Sequence, residues 1–230
     1  GCPAYYDLPS IGKDFEAPIK IERVAFSLGV SFIRSLSMER LMKENILRCM
    51  DNFSDKRFEV VFHHSLNRDD FLLVHNANLD HVKRHNDFAV WLKSEGINYI
   101  DISGSAESLI SYYSNVDLHI GYRFHAHVFM NSISKPSIVI AEDGRTKASR
   151  NVIGGIVLDG YSSYSDNFIS KVLSKILVKY DRYKSNINLT EELINNINYE
   201  ESVKYCRIRN SRKSIDNNFD VMKIFLQQLP

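Results

Sequence analysis

A chain of 230 residues is long enough for one full α/β domain or two small ones, and 44% hydrophobic with 25% charged residues excludes a disordered tail. The 29 Lys and Arg nearly cancel the 28 Asp and Glu, and a net charge of +1 argues against a general nucleic-acid binder, whose footprint is strongly basic. No apolar run approaches the ~20 residues that cross a bilayer, and no signal peptide opens the sequence. Cys2, Cys49 and Cys206 are scattered, odd in number and lack CxxC spacing. They predict reduced thiols in a cytoplasmic protein rather than a disulfide framework or a zinc site. The chain opens on Gly1-Cys2-Pro3 without an initiator Met, as a piece of something longer would.

Residues 1–18 hold three of the five prolines and read as an irregular, linker-like segment. Ile21–Gly29 is a buried strand ending in a small-residue turn. A helix follows, with Met38, Leu41, Met42, Ile46, Leu47 and Met50 on one face and Ser37 as its N-cap. Arg57–His63 is a second strand, and polar residues Asn67–Asn86 separate it from a helix at Asp87–Glu95. Strands are then expected at Ile97–Ile102, Leu118–Tyr122, Pro136–Ala141 and Gly155–Leu158, alternating with helices at Ser105–Ser114, Phe124–Ile133 and Arg145–Val152. Such alternation is the signature of a parallel sheet covered on both faces. From about Ser165 the pattern is helical: Phe168, Val172, Leu173, Ile176 and Leu177 form one stripe, Leu193–Ile197 continues it, and Val221, Ile224 and Phe225 close it. The expected fold is therefore an α/β, Rossmann-like lobe over residues 19–164 with a helical C-terminal extension over 165–230.

Ligands of an open parallel sheet bind outside the carboxyl ends of its strands. Four loops lie there: Ser27–Gly29, Asp101–Ser105, Tyr122–His127 and Glu142–Lys147. The richest is Gly121-Tyr-Arg-Phe-His-Ala-His127, which leaves a strand and enters a helix directly, so that free N–H groups and the positive helix end favour an anion. Arg123 adds a planar fork for phosphate or carboxylate, and His125 a group that exchanges protons near neutral pH. An Arg and a His at such a junction serve equally well to cap carbonyls or pair with acids. His127 cannot share a helix face with His125; packing is its simpler role and a substrate contact the other. Histidines at i and i+2 point apart, so no metal site is expected.

In Glu142–Lys147, Arg145 or Lys147 suits a second anionic group, and Asp143 either accepts a proton, orients Arg123 or caps the next helix. Glu107 reads as a first-turn carboxylate favoured by the helix dipole. Only one of His63 and His64 can face a cleft, by strand alternation. Lys204, Arg207, Arg209, Arg212 and Lys213 form a basic run compatible with an anionic membrane surface or with a solvated helix face. Neither a P-loop nor a dinucleotide fingerprint is present.

The segment Val116-Asp-Leu-His-Ile-Gly-Tyr-Arg-Phe-His-Ala-His127, followed by Ser132–Ala141 and Glu142–Lys147, resembles the polysaccharide pyruvyl transferases. Their C-terminal lobes carry an aspartate, a short strand, Arg-x-His-Gly at the next helix start, then a Pro-led strand and a charged turn. Gly1-Cys2-Pro3 is similar to the family's link between its two lobes. The resemblance runs from Gly1 to about Gly155, with Ala126 standing where the family usually has Gly.

It implies the C-terminal, donor-binding half of a glycosyltransferase-B-like architecture, with an N-terminal lobe lying outside this chain. It also implies transfer of the enolpyruvyl unit of phosphoenolpyruvate to two sugar hydroxyls of a surface polysaccharide or its lipid-linked oligosaccharide precursor, without cofactor or metal. Residue by residue, Arg123 binds the donor's anionic groups and His125 is the acid/base. The setting implied is the cytoplasm, at the inner face of the membrane if the basic run makes peripheral contact. Because one architecture serves many functions, a lobe binding a nucleotide sugar and a non-enzymatic carbohydrate-binding remnant stand as the other readings.

Overall fold

A computed structural model of the chain describes residues 3–74, 78–163 and 183–228. Six strands form one wholly parallel sheet: β1 (Arg23–Ser27), β2 (Arg57–Phe62), β3 (Tyr99–Asp101), β4 (Leu118–Gly121), β5 (Ser137–Ala141) and β6 (Ile156–Asp159). Their spatial order is β3-β2-β1-β4-β5-β6. The order reverses between β1 and β4, where the register pairs Phe26 with Ile120 and Ser27 with Gly121. That gap is the topological switch point of a doubly wound sheet. A short antiparallel ribbon, β7 (Tyr161–Ser163) with β8 (Tyr183–Ser185), follows β6.

The central strands are apolar on both faces because both are covered. On one face Val24, Phe26, Val60, Phe62, Leu118, Ile120, Ile138 and Ile140 share a core with three helices. These are α2 (Leu36–Asn52), α4 (Leu79–Ser94) and α8 (Leu189–Ser202), which contribute Met42, Ile46, Phe88, Leu92, Leu193 and Ile197. The short α1 (Ser31–Arg34) and α3 (Arg68–Val74) precede α2 and α4 respectively. On the other face Ala25 and Val61 meet Tyr113 of α5 (Ala106–Tyr113) and Ala126 and Met130 of α6 (Phe124–Ser132). Helix α7 (Gly144–Val152) links β5 to β6, and α9 (Cys206–Gln227) packs on α6.

The expected strands are all present, and so are the helices at α5, α6 and α7. Other expectations are corrected. The N-cap of α2 is Ser35, whose hydroxyl accepts the Met38 N–H at 3.1 Å, not Ser37. Helix α4 starts eight residues before Asp87, because Asn78 caps it through the His81 N–H and His85 fills a core position between Phe32, Phe62 and Phe71. Val221, Ile224 and Phe225 do not bury; each is more than half exposed near the end of α9. In the basic run Arg212 is buried, donating to the Ser132 carbonyl at 2.7 Å and pairing with Asp216, while Arg207 pairs with Glu200 and Asn196. Lys204, Arg209 and Lys213 remain exposed. The stripe from Phe168 to Leu177 lies outside the described residues, as do Gly1 and Cys2. Among the described residues no helix is long and apolar enough to cross a membrane.

Candidate active site

Three strands deliver the candidate side chains to the carboxyl edge: His63 follows β2, Arg123 and His125 follow β4, and Glu142 follows β5. The junction between β1 and β4 is unusually close. Gly121, at φ 132°, lies directly against the backbone of Ser27, where a Cβ would collide with the Ser27 carbonyl oxygen and nitrogen. Only glycine accepts that conformation and that approach together. The closeness lets the Tyr122 N–H reach the Ser27 carbonyl at 2.9 Å and the Arg123 N–H reach Ser27 Oγ at 3.0 Å. Chain entry into α6 is thereby fixed across the switch point.

Helix α6 begins without a side-chain cap. The N–H groups of Phe124, His125 and Ala126 have no acceptor among the described residues. Helices α2, α4, α5 and α7 are each capped instead, by Ser35, Asn78, Ser105 and Asp143. Beside this open end stands Arg123, half-buried, with no hydrogen bond or ion pair from its guanidinium to any described residue. Burial lowers the Arg123 pKa from its usual value, against the pull of Glu142. The arrangement is a cation and three donors without an anion, which is what a phosphate or carboxylate group completes.

Glu142 shows the opposite condition. Its carboxylate accepts from the Val30 N–H at 3.0 and 3.1 Å and from the Ser31 N–H at 3.1 Å. A Cβ on Gly29 would run into that carboxylate. Burial raises the Glu142 pKa, while the Val30 and Ser31 N–H groups and Arg123 hold it down. The first βα turn, where a dinucleotide's pyrophosphate binds in a Rossmann fold, therefore already holds an anion of the protein's own.

His125 is exposed on the first turn of α6, and partial desolvation followed by the charges of Arg123 and Arg145 lowers its pKa, with Asp143 opposing. A lowered pKa leaves the imidazole largely neutral at pH 7, able to take up or pass on a proton. Asp143 is the N-cap of α7, accepting from Thr146 N and Oγ1 at 2.8 Å each. It also pairs with the exposed Arg145 at 3.1 Å. Lys147 turns away along α7, to the Tyr161 carbonyl at 3.1 Å and Asp159 at 3.5 Å.

His127 lies beneath the cleft rather than on it. It is fully buried, with Nδ1 2.8 Å from Ser137 Oγ and Asn131 alongside, and burial lowers its pKa to about 3. Ser137 Oγ also meets His119 Nδ1 at 2.7 Å, and His119 Nε2 meets Ser27 Oγ at 2.8 Å. A continuous buried chain, Ser27–His119–Ser137–His127, thus supports the hydroxyl that fixes Arg123.

The sequence places Ser27 and Glu142 in binding-edge loops without a role of their own, and points to His119 not at all and to His63 only weakly. Their partners lie 18 to 112 residues away in the chain, so no local spacing signals them. Asp117, part of the quoted motif, sits at the opposite edge, accepting the Glu22 and Arg23 N–H groups at 3.0 and 2.9 Å and tying β4 to β1. A groove of about 400 Å³, lined by Lys20, Ile21, Phe53, Lys56 and Tyr205 among others, is also at that amino edge and holds none of the site residues. Among the described residues no cluster of His, Cys, Asp and Glu could hold a metal ion.

No curated protein and no solved structure gives a significant match to the chain. The model of a family described as polysaccharide pyruvyl transferase matches residues 1–144, well over half the chain, ending just after Glu142 and Asp143. The chain belongs to the polysaccharide pyruvyl transferase family, a family of enzymes.

Proposed function

We propose that this lobe binds phosphoenolpyruvate at the carboxyl edge between β1 and β4. Its pyruvyl unit passes to two hydroxyls of a surface polysaccharide or lipid-linked precursor, closing a ketal and releasing phosphate. The observation that carries the reading is the positive end of α6, where the Arg123 guanidinium and three backbone N–H groups have no partner among the described residues. Donors held ready for charge that grows on a leaving phosphate are a strong source of transition-state stabilisation.

The chemistry assigns the remaining roles. A proton reaches the methylene carbon of the enol, a sugar oxygen bonds to the adjacent carbon, and phosphate then departs as the second hydroxyl closes the ring. Of the two hydroxyl protons, one ends in the new methyl group and one leaves with phosphate. His125 handles protons and Arg123 binds the donor, with Arg145, oriented by Asp143, adding charge at the rim. Lys147 is a more distant electrostatic contributor, and His127 serves from below as packing. A second lobe facing this edge, in a glycosyltransferase-B-like arrangement, would bring the acceptor. The cytoplasmic face of a membrane is the setting for a lipid-linked one.

Glu142 argues against the nucleotide-sugar alternative, because a diphosphate at the first turn would meet a carboxylate already seated there. Thermal unfolding of the full chain tests the choice. Phosphoenolpyruvate should raise the midpoint in a concentration-dependent way, since a ligand of the native state stabilises it. Stabilisation by nucleoside diphosphate sugars alone would replace this reading with the other.

A further inference from the structure

Resting on the donor site just proposed, we infer that His63 is its second proton-transfer group. Its ring stands at the carboxyl end of β2, held through Nε2 by the Tyr113 hydroxyl at 2.8 Å, with Nδ1 left for a sugar hydroxyl. In register Ser27 pairs with Val61, so His63, two residues on, lies on the sheet face that carries Ser27. Tyr113 is fully buried, its ring 5.7 Å from that of His63 and 5.5 Å from that of His119, whose Nε2 meets Ser27 Oγ at 2.8 Å. The base and the anion clamp are thus tied to one buried group of residues around Ser27. His64 faces the other way, its ring 6.1 Å from Phe71 and its carbonyl accepting from His85 at 3.1 Å.

Ketal formation calls for two such groups. While one imidazole protonates the methylene carbon, another must take the proton of the attacking hydroxyl. In the first half, the sugar O–H proton moves to His63 Nδ1 as the O–C bond forms, and the enol π pair takes a proton from His125, charged beside the bound anion. In the second half phosphate leaves with the C–O electron pair and receives the His63 proton. The second hydroxyl attacks and returns a proton to His125, so both histidines end as they began. Burial most of all, and then the neighbouring Arg123, His119, His64 and His125, disfavours the charged form of His63, so the ring is neutral and open to a proton when the donor's negative charge arrives. Tyr113 is a positioning residue, acting on substrate only through His63.

Nitrogen-detected NMR of the full chain with labelled histidines, titrated with phosphoenolpyruvate, tests this. The His63 and His125 ring signals should move with one shared binding constant. The His63 pKa should rise by about one unit as the donor's negative charge arrives. Tyr113→Phe should keep donor affinity within about three-fold yet change the His63 tautomer ratio and titration, which a merely structural tyrosine would leave alone. If the donor moves His125 while His63 stays fixed, the inference is overturned and the donor reading stands. If neither histidine responds, both fall.

Discussion

Arg123 enters its helix with its backbone N–H bound to the hydroxyl of Ser27, 3.0 Å away across the gap where the strand order reverses. That bond joins two strands adjacent in space and far apart in sequence, and the same hydroxyl meets the buried His119 at 2.8 Å. Ser27→Ala leaves both partners unsatisfied in a dry interior. The expected cost is about 1–3 kcal/mol in urea unfolding, together with weaker donor binding in calorimetry.

Gly121→Ala tests the closeness of β1 and β4. The added methyl meets the Ser27 backbone, which cannot yield as a side-chain tip can, and the φ of 132° suits no other residue. Strain and overpacking together should cost about 3 kcal/mol or more by denaturant unfolding. A variant as stable as the parent would show that β1 and β4 can part to admit a methyl group.

Gly29→Ala is subtler, because the atoms it meets end a side chain that three N–H···O contacts hold in place. The methyl should push the Glu142 carboxylate off the Val30 and Ser31 N–H groups and toward Arg123. Folding should survive while phosphoenolpyruvate affinity falls about ten-fold or more, an effect of roughly 1.4 kcal/mol readable by calorimetry.

Acid should unfold this protein through its buried histidines. In the unfolded chain His127 binds a proton near pH 6.5, but in the folded chain only near pH 3, because burial penalises the charged ring. The unfolded state therefore binds more protons between those values, and stability falls as pH drops through the window. His119 and His63 are shifted in the same direction by burial. His127→Asn should reduce the slope of stability against pH by about one proton, roughly 1.4 kcal/mol per pH unit, measured by urea unfolding between pH 7 and 4.

The strands of the sheet were legible because each is a short apolar run between polar or glycine-rich turns, and α6 because it follows β4 without a linker. The start of α4 was hidden by His85: a histidine in a core position, packed among three phenylalanines, breaks the apolar period that would have extended the helix back to Leu79. At the site, Arg123 and His125 were readable from their place at a strand–helix junction. Their spacing could not reveal that the Arg123 guanidinium has no partner among the described residues or that Glu142 fills the neighbouring helix start. Those facts depend on which loops the sheet order brings together. Strand alternation allows only one of His63 and His64 to face the cleft but does not say which, because Tyr113, the partner of His63, lies 50 residues on, at the end of α5.

Isothermal titration of the full chain and of Arg123→Ala with phosphoenolpyruvate tests the anion site most directly. The wild-type chain should bind, the variant should lose at least about a hundred-fold in affinity, some 2.7 kcal/mol, and its unfolding midpoint without ligand should stay put because the guanidinium makes no hydrogen bond or ion pair among the described residues. Equal affinity in the two proteins would mean that the open start of α6 is not where the donor sits.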